Sequence, residues 1–65
     1  MNIKLLRHFV SVYDNKSLSR AAQSIGVTQS NVSKSIQKLE SELELLLFHR
    51  NTRDVEATDA ANKLY

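Results

Sequence analysis

The sequence contains no cysteine, no proline and a single glycine. Without cysteine, no disulfide can cross-link the chain, and thiolate metal sites are excluded. Helix-breaking residues are scarce, while leucine, alanine, serine, lysine and glutamate are frequent, which favours a mainly all-α chain. The chain has 65 residues and so forms one domain at most. A domain of this size buries only about 60% of its unfolded surface, so its core must be thin.

Long apolar runs are also absent. No stretch approaches the roughly 20 residues that a membrane-spanning helix needs. Lys4, Arg7 and His8 interrupt the apolar stretch near the N-terminus, which is therefore not typical of a secretory signal. We expect a cytoplasmic protein with no membrane partner.

Acidic residues are missing from the middle of the chain. None lies between Asp14 and Glu40, whereas this interval contains four basic residues, Lys16, Arg20, Lys34 and Lys38. Three glutamates follow, and then a second basic cluster of Arg50 and Arg53. A basic segment of this kind indicates nucleic-acid binding only where it coincides with a binding element.

The spacing of apolar side chains predicts two helices in the first part of the chain. The first runs from about Ile3 to Tyr13, and residues 14–16 then break the pattern as a turn. Its inward positions are expected to be Leu6, Phe9, Val10 and Tyr13, with Leu5 and Val12 beside them. Ser17 is a good N-cap for a short second helix over residues 18–25. The expected inner stripe of that helix is Leu18, Ala21, Ala22 and Ile25.

A second turn and a longer helix follow. Gly26 comes directly after the second helix, at the position where helices commonly end in a left-handed residue. Thr28 is the next N-cap candidate. The third helix runs from about Gln29 to Leu43 or beyond. Its inward stripe is Val32, Ile36, Leu39 and Leu43. The opposite face has no acidic or bulky apolar residue and consists of Ser30, Ser33, Lys34, Gln37 and Lys38.

Two helices joined by residues 26–28 have the pattern of a helix-turn-helix. The small side chains of Ala21 and Ala22 permit a close helix crossing, and Val32 supplies an apolar anchor in the second helix. Helix-turn-helix units read base edges with the N-terminal part of their second helix. Gln29 can pair with adenine there, and Lys34 can donate to guanine.

Further polar residues complete the predicted contacts with DNA. Three can hydrogen-bond bases or phosphates: Ser30, Asn31 and Ser33. Three lie at helix N-termini, where backbone N–H groups favour phosphate: Ser17, Ser19 and Thr28. Lys38 and Arg20 are better placed for the phosphate backbone than for bases. Arg50, in the second basic cluster, is a further candidate for contact with DNA.

The last part of the chain predicts a small β-hairpin followed by a helix start. Residues 45–50 are apolar and then basic, residues 51–54 indicate a turn, and residues 55–57 form a short return strand. Thr58 and Asp59 are typical of an N-cap and an acidic first turn.

At this level of detail the chain resembles the N-terminal DNA-binding domain of LysR-type transcriptional regulators of bacteria. The matching segments are residues 6–9, 17–22, 27–33, 36–40, 47–50 and 58–60, in order along essentially the whole chain. The resemblance implies a winged helix-turn-helix: a three-helix core, a small β-hairpin wing and the start of a linker helix. The domain would cover residues 1–57, and residues 58–65 would begin a truncated linker helix.

The same resemblance implies the partners and their contacts. Gln29, Ser30, Ser33 and Lys34 would face the major groove, and Arg53 on the wing would reach the minor groove. Ser17, Ser19 and Thr28 would contact phosphates. A linker helix would pair two subunits in the full-length protein, with weak or no dimerisation in this fragment. A downstream domain, absent from these 65 residues, would sense a small-molecule inducer.

Three positions depart from the family pattern. Ser30 and Glu44 stand where proline and glycine are usual, and Ala61 replaces another usual glycine. A left-handed Glu44 would cost about 1 kcal/mol in backbone strain; alternatively, the long helix continues past Glu44 and delays the wing.

Other functions find little support in the sequence. The two histidines, His8 and His49, have no carboxylate at metal-ligand spacing, and no catalytic triad or glycine-rich nucleotide loop is present. We therefore expect no enzyme activity, cofactor or metal. The rival hypothesis is an interaction module, because Ile36, Leu39, Leu43 and Leu46 follow a coiled-coil step and Leu46 could form an exposed apolar patch.

Overall fold

The computed structural model describes residues 3–50 and 55–65. Helix α1 spans Ile3–Asn15, α2 spans Leu18–Ile25 and α3 spans Gln29–Leu43. Strands β1 (Phe48–Arg50) and β2 (Val55–Ala57) form an antiparallel pair that aligns Phe48 with Ala57 and Arg50 with Val55. Helix α4 spans Asp59–Leu64. The winged helix-turn-helix expected from the sequence is thereby confirmed.

The predicted caps define the helix bounds. Ser17 Oγ accepts from the Arg20 N–H at 3.2 Å, and Thr28 Oγ1 accepts from the Asn31 N–H at 3.1 Å. Gly26 has a φ of 71°, and its N–H closes the end of α2. The helix-turn-helix thus begins and ends its helices at the predicted residues because each cap satisfies backbone groups that the helix leaves unpaired.

The end of α1 differs from the sequence prediction. The helix continues two residues beyond Tyr13, because the Lys16 N–H donates to the Val12 carbonyl at 2.7 Å and the Asn15 side chain donates to the Ser11 carbonyl at 2.8 Å. Lys16, with a φ of 53°, then leaves the helical conformation, and Ser17 is extended as the N-cap of α2.

Three predicted inward positions are also corrected. On α1 the core-facing stripe is Leu5, Phe9 and Val12, whereas Leu6 is half-buried and Val10 is 41% exposed. On α2, Ile25 is 37% exposed. The apolar residues of α1 extend around more of the helix than one core can cover, so the outer members remain at the surface.

Glu44 ends α3 in the left-handed conformation, with a φ of 55°. Its N–H bonds to carbonyls of the last helical turn, and the Leu45 N–H reaches the Glu40 carbonyl at 3.1 Å. The alternative of a helix that continues past Glu44 is therefore wrong. The sharp turn lets Leu47 and Phe48 enter the core directly, and both are buried.

The core joins the helices and the wing. Its fully buried large side chains are Phe9, Ile36, Leu39, Leu47, Val12 and Val32. Burying such a side chain contributes about 1.5–3 kcal/mol, and together these residues fix α3 against α1 and α2. None of the described helices is long and apolar enough to cross a membrane.

Helix α4 is held by its cap and by aromatic contacts. Thr58 Oγ1 donates toward the Leu46 carbonyl and accepts from the Ala61 N–H at 3.2 Å. The rings of Tyr13 and Tyr65 stack with centroids 4.0 Å apart, and Tyr65 Oη donates to Asp14 Oδ1 at 2.7 Å. This hydrogen bond, together with partial desolvation, raises the pKa of Tyr65.

Candidate nucleic-acid interface

The outer face of α3 presents a continuous set of polar and basic side chains. Val32, Ile36 and Leu39 are fully buried on the inner face, so the opposite side of the same helix must face solvent. The exposed residues there are Gln29, Ser30, Asn31, Lys34, Gln37 and Lys38, and Ser33 is half-buried among them. The structure thus brings the predicted base-reading residues together on one helix face.

A second surface lies where α1 meets α3. Lys4 of α1 lines a shallow groove together with Asn31, Lys34 and Lys38 of α3. No sequence pattern assigns Lys4 to the interface, because its position near α3 depends on how the two helices pack. Three lysines around one groove produce a positive field that attracts phosphate.

The residues predicted to bind phosphate at the N-terminus of α2 differ in accessibility. Ser19 and Arg20 are exposed, whereas Ser17 is only 6% exposed and its Oγ already accepts a backbone hydrogen bond. Thr28 is exposed, and its Oγ1 also serves as a cap.

Glu40 connects α3 with the wing. Its Oε2 accepts from the Leu47 N–H at 2.8 Å and from the Phe48 N–H at 3.3 Å. Both donors belong to buried residues at the start of β1. In the sequence Glu40 stands out only as part of an acidic group, since no spacing rule links a helical carboxylate to a strand seven residues later.

Arg50 lies at the other end of β1 and also contacts α3. Its Nη1 donates to Ser33 Oγ at 3.0 Å. One predicted DNA-binding residue on the wing therefore touches another on the recognition face. Arg53 and the predicted turn over residues 51–54 lie outside the described residues.

The two histidines, His8 and His49, both lie among the described residues. Within residues 3–50 and 55–65 there is no group of three or more histidine, aspartate or glutamate side chains that could hold a metal. His8 is buried, and its Nδ1 has no hydrogen-bond partner. Burial, and then the charge of Lys4, lower the pKa of His8.

A capped helix-turn-helix, a recognition face without acidic residues and a short hairpin together define a winged helix-turn-helix regulatory domain. The family model of the bacterial regulatory helix-turn-helix proteins of the lysR family matches residues 3–62. The chain therefore belongs to this family.

Curated relatives agree with that assignment. The chain is 40% identical over 65 residues to the HTH-type transcriptional regulator BudR of Raoultella terrigena, matching all of this chain and 22% of the relative. It is 44% identical over 63 residues to the uncharacterized HTH-type transcriptional regulator YfeR of Shigella flexneri, matching 97% of this chain and 20% of the relative. The chain spans about a fifth of the length of these relatives, which are named as regulators and not as enzymes.

Solved structures show the same fold. The DNA-binding domain of CbnR in a DNA complex has a TM-score of 0.96 at 28% identity, with 98% of this chain and 74% of that chain covered. The DNA-binding domain of BenM with catB site 1 DNA has a TM-score of 0.95 at 35% identity, with 100% of this chain and 73% of that chain covered.

Proposed function

We propose that this chain binds double-stranded DNA in a sequence-specific manner, as the DNA-binding domain of a LysR-type transcriptional regulator. The observation that most directly supports the proposal is the exposed face of α3, which begins at Gln29 and has lysines but no acidic residue over the first three turns. A major groove about 12 Å wide admits such a helix. The CbnR and BenM domains, which share this fold, were solved in complex with DNA.

In this proposal the contacts divide by chemistry. The residues that reach base edges are Gln29, Ser30, Ser33 and Lys34, of which Lys34 favours guanine and Gln29 favours adenine. Asn31 contacts bases or phosphates. Lys38 joins the phosphate-facing residues Ser17, Ser19 and Thr28, and Lys4 extends this set. Arg50 contacts DNA from the wing, beside Ser33. Arg53 of the wing reads a narrow minor groove.

The proposal extends to a longer regulator that contains this domain. Residues 1–57 form the DNA-binding domain, and residues 58–65 begin a linker helix through which a longer chain forms a homodimer. A further domain of that longer chain binds a small-molecule inducer, and the regulator acts in the cytoplasm. The position of α4, which Thr58 caps and Tyr13 packs against, supports a helix that leaves the domain in a defined direction.

The test is a binding-site selection from randomised duplexes with the wild-type chain and three variants. Lys34→Ala and Gln29→Ala should each lose about 1–3 kcal/mol of discrimination at particular base pairs. Arg53→Ala should weaken the preference for a narrow minor groove.

The matched control is Lys63→Ala on α4, which removes the same charge as Lys34→Ala at a position away from α3. Unchanged site preferences in Lys34→Ala and Gln29→Ala would refute the assignment.

A second candidate function is self-association through an apolar surface. Leu45 and Leu46 are 50% and 53% exposed at the turn after α3, which favours this candidate. Sedimentation of the wild-type chain beside Leu46→Gln tests it. A tight dimer that dissociates in the variant, with no duplex bound at low salt, would favour the interaction module over DNA binding.

A further inference from the structure

Strand β1 is attached to α3 at both of its ends. At its start, Glu40 Oε2 accepts from the Leu47 and Phe48 N–H groups, and at its end Arg50 Nη1 donates to Ser33 Oγ. Ser33 and Glu40 are seven residues apart, which places them on one face of the helix about two turns from each other. Side chains two residues apart on a strand share a face. Arg50 is therefore on the same side of the strand as the buried Phe48, and its bond to Ser33 shows that its side chain reaches α3.

This arrangement determines the hydrogen-bonding role left to Ser33. A serine hydroxyl has one proton to donate and two lone pairs that accept. A guanidinium has only donors and stays charged at any physiological pH. The Arg50 contact must therefore use one lone pair of Ser33 Oγ, which leaves the hydroxyl proton free to donate and only one lone pair to accept. The adjacent positive charge also polarises the O–H bond, which makes the hydroxyl a stronger donor.

We infer that Arg50 is a specificity-determining residue that makes Ser33 a hydrogen-bond donor toward the base it faces. The inference rests on the proposed function, in which the outer face of α3 enters the major groove. With Arg50 in place, Ser33 selects a base that presents acceptors. Guanine presents two acceptors, N7 and O6, whereas cytosine presents the N4 amine, which is a donor. Ser33 thus favours guanine and disfavours cytosine at one base pair.

The experiment begins with a duplex library randomised over roughly one helical turn, about 10 base pairs. Wild-type protein selects its preferred site at low salt, and affinities are then measured on duplexes carrying each base at every position. Ser33→Ala identifies the base pair that Ser33 reads, because preference there should fall about three- to tenfold while other positions keep theirs.

The decisive variants are at Arg50. Arg50→Met removes the donor and should lose the preference at that same base pair by a similar factor. The double variant Ser33→Ala/Arg50→Met should be no worse there than Ser33→Ala alone, since both changes remove one effect. Arg50→Gln keeps an N–H₂ group that can donate to Ser33 and should retain part of the preference. Circular dichroism of each variant confirms that the wing change leaves the helical core folded.

Three results would overturn the inference. In the first, Arg50→Met weakens binding to all duplexes equally and reduces the salt dependence of binding by about one phosphate contact, which would make Arg50 a phosphate ligand only. In the second, the preference that Ser33→Ala removes is for the amine group of cytosine or adenine, which would mean that the Ser33 hydroxyl accepts the hydrogen bond. The effects of the two single variants could also add in the double variant. If the wild-type chain selects no sequence, the proposed function itself fails, and this inference falls with it.

Discussion

The most informative structural perturbation is the removal of the Glu40 carboxylate. In Glu40→Ala the Leu47 and Phe48 N–H groups lose their acceptor while their side chains stay buried. Hydrogen bonds to a charged group contribute about 1.5–3 kcal/mol each, and an unpaired buried donor costs about 1–3 kcal/mol. The Phe48 bond is long at 3.3 Å, so we expect a total loss of about 2–4 kcal/mol in the free energy of unfolding.

Such a loss is large for this chain. A domain of 65 residues has a stability of about 3–10 kcal/mol, and each kcal/mol lowers the melting temperature by about 4–8 °C. Thermal and urea unfolding followed by circular dichroism measure the loss, and hydrogen exchange of the Leu47 and Phe48 amides locates it. Glu40→Gln should lose less, because its amide oxygen still accepts one bond. Glu56→Ala removes the same charge from an exposed position on β2 and is the control. The reasoning is refuted if Glu40→Ala melts at the same temperature as Glu56→Ala.

Three further predictions concern the backbone and one buried histidine. Glu44→Gly should stabilise the chain by about 1 kcal/mol in urea unfolding because φ is 55°, whereas Glu44→Ala, which removes the same charge and keeps the strain, should bring no such gain. Gly26→Ala should cost about 1–2 kcal/mol from backbone conformation alone, since an added Cβ meets no atom within 4 Å; a variant as stable as wild type would contradict this. Because the folded pKa of His8 lies below the unfolded value of about 6.5, stability is fully present above that pH and falls as the pH drops toward the folded pKa. Urea unfolding at about pH 7.5 and about pH 5 should show this fall, and it should disappear in His8→Leu if His8 causes it.

Local chemistry made most of the fold predictable from the sequence. Ser17, Gly26 and Thr28 each satisfy or terminate a helix by their own conformational preference, so the bounds of α2 and α3 follow from nearby residues alone. The identity of the recognition face is predictable for the same reason, because the buried stripe of α3 defines its opposite side.

Contacts between distant residues were not predictable. Glu40 accepts hydrogen bonds from the start of β1, and Arg50 donates one to Ser33. Both contacts depend on the relative placement of α3 and the wing, which no periodicity encodes. The inward stripe of α1 was misassigned in part because periodicity treats Val10 as equivalent to Leu5, and only packing against α2 and α3 distinguishes them. The sequence leaves two alternatives open at Glu44, because glutamate disfavours the left-handed conformation that the turn requires.

If the basic face of α3 binds duplex DNA, the affinity must depend on the salt concentration. Fluorescence anisotropy of a labelled mixed-sequence duplex is measured at several salt concentrations with the wild-type chain and Lys34→Ala. The account predicts a linear fall of log affinity against log salt, with a slope of about −0.9 for each phosphate contacted, and weaker binding by the variant. Absence of binding at low salt, or an affinity that salt does not change, would contradict it.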